Sequence, residues 1–320
     1  MRSVISTAAI VMVASMVQVD RISYSPFVAS AQDRVATVLD AARKAIAADK
    51  VKTLTAEGPT RRMLGPRDME GTVTVTLERP GRMHRLEDMA IGGMVGGPSM
   101  ERIAVLNGTT SWEDSQNRGG MGGGLRIQIA TGPGPGATSP GGAALTPEQV
   151  DEARTRRMRV QMQRLTAALF ADAGAPWADA GVAESPEGKA DILEAKEETG
   201  RTIRLFIDQG TRLPLMVQYQ DPKPRIMMQG GPGGPGRGPG GPGGPPQMTP
   251  EQMKERLAEM QRTPPEMGTY AMHLSDFKKV DGVMLPHKIE TSLDGEPNEE
   301  WTIEKYKVNP QVKADLWQKK

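Results

Sequence analysis

The chain has 320 residues, 37% hydrophobic and 25% charged, enough to bury a sizeable core in one or two domains. A formal net charge of +1 and only 4% aromatic residues supply neither a long-range field for nucleic acid or anionic membrane nor a base-stacking surface. The absence of cysteine excludes disulfides, thiolate catalysis, zinc sites built on Cys and a lipid-modified cysteine.

The N-terminus reads as an export signal. A positive start is followed by an apolar run over residues 4–17, and Ala29, Ser30 and Ala31 supply small side chains at the cleavage positions. The expectation is a signal peptide, 1–31, cleaved after Ala31, and one exported, periplasmic domain, 32–320; an uncleaved interfacial anchor is the alternative. Residues 32–50 predict a helix capped by Asp33, with Val35, Val38, Leu39, Ala42 and Ile46 at helical spacing. The period then changes to two: Val73, Val75 and Leu77 alternate with Thr72, Thr74 and Thr76, and Pro80-Gly81 marks a turn into a second strand. Asn107-Gly108 predicts a hairpin turn, which also accounts for the glycosylation-like Asn-Gly-Thr there.

Two Gly/Pro-rich insertions, about 116–145 and 229–247, read as loops. The second lacks the unbroken glycine period of a triple helix, because Pro239 takes a slot that must be glycine. Each insertion leads into a Thr-Pro-Glu-Gln opening, at Thr146 and Thr249, where Thr caps, Pro occupies the first helical position and Gln completes a capping box. The Glu/Arg-rich face over 148–164 reads as a solvated helix surface. Between and after these helices lie further strand candidates, with turns at Gly200, Gly210, Asp281-Gly282 and Asp294-Gly295. About eleven strands joined by short links imply an antiparallel sheet and an α+β fold.

The search for chemistry is mostly negative. His84, His273 and His287 lack metal-pair helical spacing, and His84 and Asp88 lie about 13 Å apart along a strand. Ser275 and Lys278 match a Ser-x-x-Lys pattern but at the end of a strand, where the lysine is not one helical turn beyond the serine. No pattern for a nucleotide, a metal or another cofactor is present. His287 shares strand parity with Val283, Leu285 and Ile289, which predicts a packed structural histidine. Pro286 beside it predicts an edge, a bulge or an unpaired ladder position.

"VDGVMLPHKIE" followed by "EEWTIEKYKVNP" resembles the C-terminal hairpin of periplasmic outer-membrane lipoprotein-sorting proteins, the LolA/LolB-like group. "LERPGRMHRLE" and "LNGTTSWED" are similar to that group's earlier hairpin and its "dG…vW" strand. Where the family tends to place an aromatic and then an arginine, this chain has Met83 and His84. Arg85 comes one residue later, on the opposite strand face. The resemblance implies a strongly curved antiparallel sheet, an incomplete β-barrel with helices across its concave side and an apolar interior for acyl chains. The rows Val73/Val75/Leu77, Ile203/Leu205/Ile207 and Leu213/Leu215/Val217 would then face inward and line a cavity. Met158, Met162, Leu165 and Leu169 would form the stripe of a covering helix. The alternative is that this stripe packs down and fills the sheet. The 21 methionines suit a plastic interior, although a compositional habit would give the same count.

The leading expectation is a non-enzymatic, monomeric binding protein for acyl chains of lipids or lipoproteins, with a cell-envelope protein as a second partner and no nucleic acid. The second is a structural or sensory interaction module without a buried ligand, and the third a hydrolase.

Overall fold

The computed structural model describes residues 26–64, 67–91, 99–118, 126–130, 145–172, 174–185, 188–229 and 266–319. The apolar run 4–17 and the helix expected from Thr249 lie outside the described residues. Helix α1 (Pro26–Ile46) leads into a short 3-10 turn (Ala48–Lys50). Five strands follow: β1 (Thr53–Leu64), β2 (Arg67–Glu78), β3 (Arg82–Ile91), β4 (Ser99–Asn107) and β5 (Thr110–Arg118). After β6 (Arg126–Ala130) and α2 (Pro147–Phe170) come β7 (Ala178–Ser185), β8 (Gly188–Lys196), β9 (Thr202–Asp208) and β10 (Pro214–Pro222). β11 (Arg225–Gln229), β12 (Met267–Val280), β13 (Val283–Leu293), β14 (Glu296–Thr302) and β15 (Lys305–Val308) complete the strands, before a last 3-10 turn (Ala314–Trp317).

Thirteen strands form one antiparallel sheet in the order β5-β4-β3-β2-β1-β14-β13-β12-β10-β9-β8-β7, with β15 also on β1. The sheet is unclosed, and β5 and β7 are its edges. It consists of two meanders that meet where the last strands pair with the first. Leu54–Glu57 of β1 face β15 and Thr60–Arg62 face β14, so the two C-terminal strands share one side of β1. Gly58 marks the changeover. A β-carbon there would sit 2.0 Å from the Thr302 carbonyl oxygen, so only glycine lets the chain cross.

The hairpin chemistry acts as expected. Asp281-Gly282 and Asp294-Gly295 each place both turn residues at positive φ, and Gly108 and Gly200 do the same singly. Pro286 sits beyond the end of the β13–β14 ladder, which stops at Lys288 opposite Thr302, so its missing N–H costs no bond on that side.

Several expectations are corrected. Among the described residues fifteen strands replace about eleven. One of them, β6, lies in the first insertion expected to be loop and pairs antiparallel with β11, which ends where the second insertion begins; composition does not reveal a pairing between residues about a hundred positions apart. Helix α1 starts at Pro26 instead of Gln32, so Asp33 lies inside it and caps nothing. Leu215 does not join the inward row. The β9–β10 register shifts between Pro214 and Met216, so buried Pro214 and Val217 lie three apart and Leu215 is 40% exposed. Leu213 is half-buried, ahead of the strand. Ser275 and Lys278 lie within β12 rather than at its end, and Lys278 pairs with Asp276.

Candidate functional site

α2 begins as its sequence dictates. Gln149 N–H donates to Thr146 Oγ1 at 3.3 Å and Thr146 N–H donates to Gln149 Oε1 at 2.9 Å, a complete capping box. The helix stops at Ala171, whose left-handed φ of 52° turns the chain toward β7. Because α2 joins one edge of the sheet to the other, it touches β4 and β5 on one wing and β9 and β10 on the opposite wing. Met158, Met162, Leu165 and Leu169 are all buried, as are Val73, Val75, Leu77, Ile203, Leu205, Ile207 and Val217.

A small apolar cavity of about 10 Å³ lies between α2 and the sheet, room for about one water. Leu165 and Leu169 wall it from the helix; Val75, Leu77, Trp301 and Tyr306 are among its walls on the sheet. Of the twelve residues expected to line a cavity, Val75, Leu77 and Leu165 do so. Met158, Met162 and the inward residues of β9 and β10 pack instead into the continuous core.

Ion pairs fasten α2. Arg164 lies in the face expected to be solvated, yet it is buried. It donates to Glu197 at 2.6 and 3.0 Å and to Asp221 at 2.6 Å, and its guanidinium stacks 3.7 Å from the Tyr219 ring centroid. Periodicity missed it because the helix's last turns are covered on nearly every side. Nearer its start, Arg157 pairs with Glu113 at 2.7 Å, and Thr155 and Ser111 hydroxyls meet at 2.8 Å. On α1, Arg34 pairs with Asp179 and with Asp191, on β7 and β8.

Beside the cavity the inner face turns ionic. β3 presents Met83, Arg85, Glu87 and Met89 on the face shared with Val73 and Val75. Arg85 donates to Glu87 at 2.5 Å and to Glu299 at 2.9 Å, and Arg62 donates to the same pair at 2.7 and 2.6 Å. Burial pushes the Glu87 carboxyl up, but Arg85 and Arg62 outweigh it and hold it at about 2. The Glu299 carboxyl is likewise held below its ordinary value, with Arg62 and Arg85 overcoming desolvation. The quartet is therefore fully ionised and neutral in sum. None of its four residues was a candidate site residue. Its signal was charge in an inward row, Met83-x-Arg85-x-Glu87-x-Met89, and opposite Arg62 the one strand position that completes it.

His287 is held by two contacts within the fold. Its Nδ1 lies 2.7 Å from the Ile303 carbonyl oxygen, to which only a protonated Nδ1 donates, and its ring meets Tyr306 edge-on at 5.2 Å. Tyr306 O–H in turn donates to the Pro286 carbonyl at 2.5 Å. Among the described residues no three His, Asp or Glu groups gather as a metal site.

No protein-family model matches the sequence, and no curated protein sequence does. Solved structures of similar arrangement include an outer membrane lipoprotein-sorting protein domain of Vibrio parahaemolyticus, described as putative. It has 9% identity and a TM-score of 0.42, over 87% of this chain and 95% of that one. A LolA superfamily protein of Nitrosomonas europaea has 9% identity and a TM-score of 0.39, over 89% and 97%. A DUF1329 family protein of Desulfovibrio piger has 11% identity and a TM-score of 0.42, over 89% and 97%. The chain is similar in arrangement to these three proteins.

Proposed function

We propose that the protein is an exported, non-enzymatic carrier that binds acyl chains of lipids or lipidated proteins between α2 and the sheet. The observation that carries this reading is the placement of the apolar cavity at that interface, where Leu165 and Leu169 close it. A cavity of about 10 Å³ is far below the roughly 300–1,000 Å³ of ligand pockets, so an acyl chain enters only as α2 lifts. Acyl carbons then replace the leucine side chains against Val75 and Leu77. Burial of each methylene is worth about 0.8 kcal/mol, so about sixteen carbons offset an association cost of about 4–5 kcal/mol and leave micromolar affinity. In this reading the sheet curves around the ligand, with its concave side under α2, and the signal segment directs the chain to the periplasm.

Delipidated protein titrated with an environment-sensitive fatty-acid probe should bind it saturably. A tether sharpens the test. The chain has no cysteine, so Ser111→Cys with Thr155→Cys creates one disulfide that holds α2 to β5. The oxidised variant should lose probe binding and regain it on reduction. A well-folded protein that binds no acyl probe in either state contradicts the carrier reading. The nearly filled interior favours a second reading, an interaction module without a buried ligand, and that outcome would select it.

A further inference from the structure

Seven buried side-chain nitrogen or oxygen atoms have no hydrogen-bond partner among the described residues, and three of the seven lie on or against one indole ring. Trp301 Nε1, Thr60 Oγ1 and Arg85 Nε are buried and make no hydrogen bond. Thr60 is the direct cross-strand partner of Trp301, and the Arg85 guanidinium carbon stands 4.7 Å from the Trp301 ring centroid. Thr60 is 3% exposed and Trp301 5%, so solvent does not satisfy them where they stand. An unmet buried donor is costly, and natural folds keep few. Three around a single side chain make it a place where an acceptor would be held.

The chemistry of these atoms defines that acceptor. The indole nitrogen and the guanidinium Nε only donate, and the threonine hydroxyl can donate. The same indole forms a wall of the apolar cavity under Leu165 and Leu169. A group that enters this cavity thus meets aliphatic side chains and, at one wall, the residue whose indole carries one of these donors and stands next to the other two. The neighbouring quartet decides the acceptor's charge. Arg62 and Arg85 are already matched by Glu87 and Glu299. An added carboxylate would bring a third negative charge beside two, in a desolvated place, whereas a neutral carbonyl adds none.

We propose that Thr60, Trp301 and Arg85 form a polar seat for the neutral ester carbonyl of an O-acyl chain whose hydrocarbon lies in the adjoining cavity. The inference rests on the carrier reading and adds what it lacks, a preference for esterified acyl chains over free fatty acids. A diacylglyceryl-modified peptide and a diacyl phospholipid share this ester chemistry.

The test compares methyl palmitate, palmitate and hexadecane as competitors of a bound fluorescent acyl probe, on the wild-type protein, Thr60→Val and Trp301→Phe. Methyl palmitate should outcompete both others on the wild type. Each variant should weaken methyl palmitate about five- to tenfold, the effect of one hydrogen bond, and change hexadecane less than about twofold. Thr60→Val keeps the side-chain shape and removes only the donor, so it carries the test if Trp301→Phe folds poorly. The carbonyl resonance of methyl palmitate labelled with ¹³C at carbon 1 should shift on binding to the wild type and shift less on Thr60→Val. A synthetic diacylglyceryl peptide and a phosphatidylglycerol, titrated in the same way, should both show the variant effect, and the tighter one identifies the source. If hexadecane binds as well as methyl palmitate and Thr60→Val alters neither, the seat is overturned while acyl binding stands. Palmitate as the tightest competitor overturns the neutral-carbonyl assignment. If no competitor and no probe binds, the carrier reading fails and takes the seat with it.

Discussion

On β8, β9 and β10 the inward positions are Leu193, Ile203, Leu205, Ile207 and Val217, an aliphatic surface that belongs to one continuous core. On β1, β3 and β14 the same face of the same sheet carries Arg62, Arg85, Glu87 and Glu299. Both wings are buried, but they are held by different physics. The aliphatic wing gains free energy in proportion to area removed from water and tolerates other shapes of similar volume. In the ionic wing four desolvated charges depend on each other's positions, so it gains little net stability but responds sharply to loss of any one partner. In the proposed carrier the second wing, which stays put and offers directional contacts, is the end that would discriminate.

Several changes would break or sharpen this contrast. Glu87→Ala should have the largest effect, because Glu87 is 2% exposed and its loss leaves two arginines sharing one carboxylate. A destabilisation of about 3–5 kcal/mol in urea unfolding is expected. Replacing the whole quartet with apolar residues of similar volume should cost much less. If Glu87→Ala shifts the unfolding midpoint no more than a surface change does, the quartet is not a coupled unit.

Leu205→Ala in the aliphatic wing should cost about 2–4 kcal/mol, from lost transfer energy plus an incompletely collapsed cavity. Unlike Glu87→Ala, its cost should be nearly independent of pH between 3 and 7. The wild-type protein itself should lose stability in acid. The Glu87 carboxyl is depressed in the folded state, so the unfolded chain binds its proton first. The contribution is complete above the ordinary value of 4.5 and is lost as pH falls toward about 2. Urea midpoints at pH 7, 4 and 3 measure this, and Glu87→Gln should flatten the fall. A variant with the wild-type pH profile would place the acid sensitivity elsewhere.

His287→Gln should cost about 1 kcal/mol through one altered hydrogen bond to Ile303 and should leave acyl-probe binding unchanged. Abolished binding by a well-folded variant would show that the histidine does more than pack. The smallest effect is expected of Leu215→Thr, within about 0.5 kcal/mol, because the bulge has already put this side chain in solvent. A cost of several kcal/mol would mean that the β9–β10 register is regular after all.

Much of the architecture was legible because its causes are local. The capping box of α2 requires only Thr146 and Gln149, and the hairpin turns require only Asp-Gly or Asn-Gly at the right place. Alternation identified Val73, Val75 and Leu77 as one row, and the same rule put His287 among aliphatics. It failed at Leu215, because the register shift between Pro214 and Met216 turns this one side chain outward and leaves no local mark in the sequence. It also treated Arg164 as a surface residue, since a charge at helical spacing reads as solvated until its partners Glu197 and Asp221 are known.

The amino-acid sequence by itself determined the repeating elements, their turns and which side chains share a face, because dihedral preference and side-chain period act over a few residues. Only the tertiary structure decided what those faces meet. The ionic quartet joins residues 62, 85, 87 and 299, and Thr60 stands opposite Trp301 across more than two hundred positions of chain. Such meetings depend on the order in which strands pair, which is set by the summed burial of the whole sheet rather than by any segment of it. Gly58 is the point where the two scales touch: a residue without a side chain, unremarked in the sequence, whose bareness lets the last strands cross the first and brings Trp301 to Thr60.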